Sequence, residues 1–252
     1  MELNIEEVQT TDYIVNMHLY GGNIYGCLDN NDELIEYITG LAPFSGDIKL
    51  SSAKQLHIYF RKLGFVPKLN VLNNTYLTVG KELTYIASLC CKKPETIIKK
   101  MEQALTLVGL DVLYLNRKFI TLSTSERILI NIALAIIKNP DLLIIDSVLS
   151  YLNKEQKNNI INLLKQFKKR GKIVIIFDDN LDLLYEISNK LWIINQNKVY
   201  SKSSIIKELD TFGIKYLPSS LLFTTNYNNK TDYNIKPTYE LNDILKAVYR
   251  DE

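Results

Sequence analysis

Carboxylates and hydroxyls at the ends of apolar runs are the residues of this 252-residue chain that could do chemistry. Asp146 and the pair Asp178-Asp179 each close such a run, and Ser123 precedes another. A polyphosphate site also needs a glycine-rich turn before Lys and Ser or Thr. In such a turn freed backbone N–H groups wrap the phosphates, Lys adds charge and the hydroxyl holds Mg²⁺. No Gly-x-x-x-x-Gly-Lys-Ser/Thr segment occurs in the sequence, so this turn is missing.

The cysteines and histidines form no pattern typical of a metal site. Adjacent Cys90 and Cys91 cannot easily chelate one ion together, and Cys27 stands apart from them. His18 and His57 lie in segments that we predict as strands, and they have no ligand spacing. We therefore expect reduced thiols and no metal site.

The segment Ser123-Thr124-Ser125-Glu126 has the form of a helix start. In such a capping box, the Ser and the Glu three residues later satisfy each other's free backbone N–H groups. The run from Ile128 to Ile137 follows and is apolar on nearly all sides. We therefore predict a buried helix that begins after Ser123.

The elements after this helix follow the order strand, helix, strand. The runs Leu142–Ile145 and Ile173–Phe177 are continuously apolar, which is typical of a parallel sheet covered on both faces. Residues 160–167 between them carry an apolar stripe opposite a basic side, which predicts a right-handed βαβ crossover. A helical period also runs through residues 82–109, upstream of Ser123.

The N-terminal part of the chain has a different period. Apolar and polar residues alternate in four short segments, which predicts half-buried antiparallel strands at 3–8, 13–20, 47–50 and 56–60. From Thr211 onward Asn, Tyr, Thr and Lys accumulate, and only Tyr239–Val248 is periodic. We expect a weakly packed C-terminal appendage there.

The composition is that of a globular protein with balanced charge. There are 30 Lys and Arg against 28 Asp and Glu, a net charge of +2, so a dedicated nucleic-acid binder is not indicated. The longest apolar run is well short of the ~20 residues of a membrane span, and the first residues lack the basic start of a signal peptide. We expect a cytoplasmic protein that meets a membrane only through a partner.

Three segments resemble, in order and spacing, the nucleotide-binding subunit of an ABC transporter: Leu107–Leu110, Thr121–Glu126 and Asn139–Asp146. The likeness runs from about residue 3 to about residue 209, and Gly40–Ile48 and Leu63–Pro67 add to it. The stretch Leu77–Leu89, followed by a helix that ends near Leu110, is more like the bacitracin-type and drug-exporting branch than the energy-coupling-factor branch.

This resemblance implies an α/β fold with a P-loop NTPase-like ABC ATPase core, in which helices flank a mostly parallel sheet. It also implies an antiparallel β-subdomain and a helical arm at about 70–125. Residues 1–210 are expected to form this domain, and residues 211–252 the appendage.

The stretch at the family's phosphate turn departs from the family pattern. Gly22–Leu28 is followed by Asp29-Asn30-Asn31, which passes directly to Asp32-Glu33, so about four residues including the Lys are missing. Negative charge at Asp29, Asp32 and Glu33 opposes a polyphosphate by on the order of several kcal/mol. A structural interpretation is favoured, since Asp32 and Glu33 suit the positive N-terminal end of a helix.

By motif position, the resemblance assigns vestigial nucleotide contacts to Asn31, Asp32, Lys68, Ser123 and Asp146. Ser147 stands at the position of the catalytic Glu, and without a base beside it a hydroxyl cannot activate water. Asp179 stands at the position of the switch His and is again a negative group. No catalytic residue of the family is therefore intact.

Three functions remain open. The first is a non-hydrolysing ABC-type subunit at the inner face of the cell membrane, docked on a multi-span permease and paired with itself or with an intact ABC ATPase. The second is an active ATPase subunit of an exporter with unorthodox motifs. The third is a scaffold or regulator without a transporter, since a fold does not fix function. ATP and Mg²⁺ enter as cofactors only where nucleotide binding is retained, with Asp146 as the Mg²⁺-linked carboxylate.

Overall fold

The computed structural model describes residues 1–28, 32–68, 77–207, 214–230, 235–239 and 241–249. The strands are β1 (Glu2–Gln9), β2 (Ile14–Tyr20), β3 (Asn23–Leu28), β4 (Asp47–Leu50), β5 (Leu63–Val66), β6 (Leu142–Asp146), β7 (Ile173–Phe177), β8 (Lys190–Ile193) and β9 (Lys198–Ser201). The helices are α1 (Asp32–Thr39), α2 (Leu56–Lys62), α3 (Val79–Ser88), α4 (Pro94–Leu107), α5 (Thr124–Ile136), α6 (Lys154–Lys169), α7 (Leu181–Ile187), α8 (Lys202–Lys207), α9 (Ser219–Lys230) and α10 (Leu241–Val248).

Six strands form one sheet in the order β5-β6-β7-β3-β8-β9, in which only the pair of β8 and β9 is antiparallel. Alternate residues of β7 enter two different cores. Val174 and Ile176 pack with the buried faces of α5 and α6, whereas Ile175 and Phe177 pack with α1 and the N-terminal strands. Because both faces are covered, the strand is apolar throughout, and the predicted parallel sheet is confirmed.

The N-terminal strands form a separate antiparallel sheet in the order β2-β1-β4, as the alternation at 3–8, 13–20 and 47–50 predicted. The strand predicted at 56–60 is wrong, because this segment is the helix α2, and His57 lies on it. Tyr59 is the buried residue of this helix, so no apolar stripe marks a helical period in its sequence. Five residues were too few to separate the two periods.

The helical period of residues 82–109 belongs to two helices, α3 and α4, which pack on each other and on α5. Pro94 stands in the first turn of α4, where a proline has no N–H to leave unpaired. The expected start of the helical arm near residue 70 lies outside the described residues. The predicted helices after Ser123 and between β6 and β7 are confirmed as α5 and α6.

The C-terminal segment packs more firmly than its composition predicted. Tyr216, Leu217 and Leu221 are buried in the same core as α5 and α6. The helix α9 was not predicted, whereas α10 matches the period of Tyr239–Val248. The expected boundary at 210 falls outside the described residues. Among the helices that the structure describes, none has the length and apolar character needed to cross a membrane.

Candidate functional site

The candidate site lies where β3, β6 and β7 end, because parallel neighbours bring their carboxyl ends to one edge. Helix α1 begins at Asp32, and only three residues separate it from Leu28, the end of β3. A glycine-rich phosphate turn with its Lys and Ser or Thr spans about eight residues, so this connection is too short to hold one. Asn31, one of the predicted contacts, lies outside the described residues.

The first turn of α1 carries two acids, and each already has a protein partner. The Asp32 carboxylate accepts from the Lys68 ammonium at 2.5 Å. The Glu33 carboxylate accepts from the backbone N–H of Thr11 at 2.7 Å and also from the Thr11 hydroxyl. The Thr11 hydroxyl and N–H lower the pKa of Glu33, because they bind its charged form. Glu33 therefore stays negative at neutral pH.

Asp146 is the last residue of β6 and only 5% exposed. The side chain of Ser147 and the backbone of Lys68 hydrogen-bond its carboxylate. Its Oδ1 is buried and makes no hydrogen bond within the described part of the chain. Burial raises the pKa of Asp146, because a charged carboxylate loses its hydration at the sheet edge.

Ser147 has a left-handed backbone, with φ of 52°, and its N–H donates to the carbonyl of Phe177 at 2.8 Å. This bond extends the ladder between β6 and β7, so Ser147, which the resemblance places at a catalytic position, holds the two strands together here. Asp178 follows β7 and is 7% exposed; burial raises its pKa as well. Its Oδ1 accepts from the N–H of Asn180 at 2.9 Å, which helps start α7.

Lys68 is the residue around which the site gathers. The ion pair with Asp32 is the largest cause of its raised pKa, and the charges of Asp146 and Asp179 add to it. Asp179 is exposed. The structure thus brings together Asp32, Lys68, Asp146 and Asp179 of the predicted residues.

Ser123 instead serves the start of α5. Its Oγ accepts from the Glu126 N–H at 3.3 Å, and Glu126 Oε2 accepts from the Ser123 N–H at 2.7 Å, so the predicted capping box is present. Glu126 Oε1 also accepts from the Tyr114 hydroxyl at 2.6 Å and from Arg117 Nη1 at 2.8 Å. These donors, the Tyr114 hydroxyl first, lower the pKa of Glu126 to about 2.

Sequence reasoning missed three partners at these sites: Thr11, Tyr114 and Arg117. Thr11 stands 22 residues before Glu33, and no local spacing links them. Tyr114 and Arg117 lie in a 3-10 turn and the residue after it, where no period marks their direction. Only the charge of Arg117, nine residues before Glu126, offered a signal.

A magnesium nucleotide does not fit this arrangement. The connection before α1 is too short for a phosphate turn, and three carboxylates surround the place where phosphates lie in a P-loop site. Within the described ranges, no three His, Cys, Asp or Glu side chains are grouped so that they could hold a metal ion. Asp32 and Glu33 at the N-terminal end of α1 occupy the helix end that would otherwise attract an anion.

Comparison with known proteins gives distant relatives. No family model matches the sequence. The chain is 25% identical to the methionine import ATP-binding protein MetN of Lactobacillus johnsonii, with 94% of this chain and 76% of that protein covered. It is 24% identical to the energy-coupling factor transporter ATP-binding protein EcfA3 of Oenococcus oeni, with 59% of this chain and 52% of that protein covered.

Solved structures show the fold more clearly than sequence does. A structure of an ATP-binding subunit of an ABC transporter matches with a TM-score of 0.73 and 16% identity, covering 89% of this chain and 99% of that one. The dimeric structure of MJ0796, a bacterial ABC transporter cassette, matches with a TM-score of 0.65 and 16% identity, covering 79% and 98%. The predicted α/β fold, with its antiparallel subdomain and helical arm, is confirmed.

The predicted bacitracin-type and drug-exporting branch is not confirmed. The relatives are named for methionine import and for an energy-coupling factor, not for bacitracin or drug export. The stretch Leu77–Leu89 therefore misled the branch assignment, because short helical segments of the arm carry little branch information once the nucleotide motifs have changed.

Proposed function

We propose that this chain, which has the fold of the ATP-binding subunits of ABC transporters, is a non-hydrolysing subunit of a transporter. It docks on a multi-span permease at the cytoplasmic face of the membrane and pairs with a second copy or with an intact ATP-binding subunit. The observation that carries the proposal is the ion pair of Lys68 and Asp32 at the start of α1, which only three residues separate from β3. That ion pair takes the place of the phosphate turn.

The names of the relatives support a role in transport. MetN is named as an import protein and EcfA3 as part of an energy-coupling factor transporter, and both names include ATP binding. A change at several nucleotide positions, with the hydrophobic frame kept, supports selection for the scaffold without the chemistry. Import is favoured over export by the same names.

An apolar cleft beside the helical arm supports permease docking. It has a volume of about 330 Å³ and lies between the edge strand β5, the end of α1 and helix α3. Its lining includes Leu41, Phe60, Phe65, Ile86 and Leu134. Leu41 is 68% exposed, and an apolar side chain so open to water favours a protein partner.

Titration calorimetry with ATP, with and without Mg²⁺, tests the loss of nucleotide chemistry. We expect no measurable binding up to about 1 mM ATP, which corresponds to less than about 4 kcal/mol of binding free energy. We also expect no phosphate release above background. Micromolar binding with Mg²⁺-dependent turnover contradicts the proposal and favours an active subunit.

Purification of the tagged chain from membranes tests docking. We expect a polytopic membrane protein to co-purify with the wild-type chain and to be lost with Leu41→Asp, which puts a charge into the cleft. Leu113→Asp is the matched control, since Leu113 is 76% exposed and lies in the 3-10 turn before Arg117, outside the cleft lining. If no polytopic partner appears with any variant, a scaffold or regulator without a transporter is the better assignment.

A further inference from the structure

The first turn of α1 joins segments that are far apart in sequence. On one side Glu33 accepts the N–H and hydroxyl of Thr11, which lies in the turn between β1 and β2. On the other side Asp32 pairs with Lys68, two residues beyond the end of β5. This turn therefore connects the three-stranded sheet and the six-stranded sheet without any ligand.

Three carboxylates, those of Asp32, Asp146 and Asp179, face the single positive charge of Lys68. Asp146 ends β6, and Asp179 stands two residues after β7, so the two acids follow neighbouring strands whose ends are in register at Asp146 and Phe177. Both act on the Lys68 ammonium together with Asp32. Burial raises the pKa of Asp146, and the nearby charge of Asp32 raises it further, which means that these two acids repel each other.

We propose that Lys68 is the counter-ion of a charge-loaded latch, in which its ammonium holds the Asp32 end of α1 against the carboxylates at the ends of β6 and β7. Without that ammonium the three acids push α1 away from the sheet edge. The latch is a feature of the fold itself and does not depend on whether a permease or a second subunit is bound.

The latch differs from an ordinary surface ion pair in one measurable way. When one partner of an ordinary pair is removed, removal of the second has little further effect. Here, removal of Asp32 after Lys68 relieves repulsion from Asp146. We therefore expect α1 to open from the sheet edge less often in the double variant Lys68→Met/Asp32→Asn than in Lys68→Met alone.

Salt gives a second signature. The Debye length is about 10 Å at 0.1 M salt, so added salt screens both attraction and repulsion at this half-exposed site. In the wild-type chain, salt weakens the net attraction between Lys68 and the acids, so local opening of α1 increases. In Lys68→Met only repulsion remains, so the same salt is expected to decrease opening. The sign of the salt effect reverses between the two proteins.

Hydrogen exchange of the full chain, read on peptides that cover α1 and β5, measures this opening at about 0.02 M and about 0.5 M salt. We expect Lys68→Met to increase exchange there by roughly two- to fivefold, the range of an exposed ion pair. Addition of Asp32→Asn to Lys68→Met should reverse at least half of this increase in exchange. Lys49→Met is the matched control, since Lys49 forms an exposed ion pair with Asp47 and should leave α1 unchanged.

Exchange of the buried β7 amides in the same samples reports whether each variant is folded. If Lys68→Met does not fold, Asp32→Asn alone serves: it removes the attraction to Lys68 without leaving repulsion on α1, so opening should increase and its salt dependence should be lost, whereas a salt effect of wild-type size overturns the latch. A double variant that exchanges as fast as Lys68→Met, or a salt effect of one sign in both proteins, overturns the latch. Neither result depends on the ATP titration, so the latch and the proposed function can fail separately.

Discussion

Replacement of Glu126 by Gln tests the electrostatics at the start of α5. The Glu126 carboxylate accepts from the Tyr114 hydroxyl, Arg117 and the Ser123 N–H, and these bonds lower its pKa from 4.5 to about 2. A shift of this size corresponds to at most about 3 kcal/mol. Because the side chain is 20% exposed and its Arg partner 37%, water screens part of this, and we expect a loss of about 1–2 kcal/mol at pH 7.

The pH dependence gives the sharper result. The folded pKa is below the unfolded one, so the stabilisation is complete above about pH 4.5 and disappears as the pH falls through about 2. The difference in unfolding free energy between wild type and Glu126→Gln should therefore shrink across this window. Urea unfolding, followed by the fluorescence of the single and fully buried Trp192, measures it. A difference that stays constant from pH 5 to pH 2 refutes the reasoning.

Helix α6 supplies a natural control for this experiment. Its capping box uses Asn153 and Gln156, so Gln is compatible with the same cap geometry. Gln156→Glu adds the charge where the structure gives that side chain no Arg or Tyr contact, and we expect a change within about 0.5 kcal/mol. A larger gain at this position means that the cap itself, not its charged partners, sets the effect at Glu126.

Three further predictions concern the site and the frame. Ser147→Glu puts a Glu at the position that the resemblance assigns to catalysis but adds no phosphate turn, so phosphate release from ATP should stay at background in a coupled assay. Gly171→Ala should cost about 1 kcal/mol, since φ is 71° and nothing lies within 4 Å of the new Cβ. Gly46→Ala should cost more, about 3 kcal/mol, because its Cβ meets the Glu7 carbonyl oxygen at 2.4 Å; equal urea midpoints for the two variants contradict this. Truncation after Lys207 uncovers the core around the fully buried Leu221, so binding of a hydrophobic dye should rise; unchanged dye binding contradicts the packing of this segment.

The elements that could be predicted are those whose sequence period has one interpretation. The runs at β6 and β7 are apolar because each strand packs against two cores, and no helix of five residues would need that. The segment at Leu56–Lys62 was mistaken because a helix that buries Tyr59 alone leaves almost no period to read. Helix α9 was missed since Thr and Asn make up five of its twelve residues, and both are poor helix formers.

Asp32, Lys68, Asp146 and Asp179, which the structure brings together, could be singled out from the sequence, but the pairs that they form could not. The acid at the end of β6 and the acids after β7 follow from the apolar runs that they close. The ion pair of Lys68 and Asp32 joins residues 36 apart, and it forms because β5 lies beside β6 while α1 starts near the same edge. A lone Lys after Pro67 reads as a solvated surface charge until the sheet order is known.

The short connection before α1 and the ion pair of Lys68 and Asp32 together set the charge balance of the site. Burial alone disfavours the charge of Asp146 at a sheet edge, and a cation nearby lowers that cost. Lys68 supplies that cation from within the chain, and Asp32 holds Lys68 in place. A polyphosphate that enters this crevice has to displace Asp32 from Lys68 and then lie beside three carboxylates. On the proposed absence of nucleotide binding, we expect a single replacement, at Ser147 or at any other position, to leave binding absent, because the connection before α1 stays short and the acids stay in place.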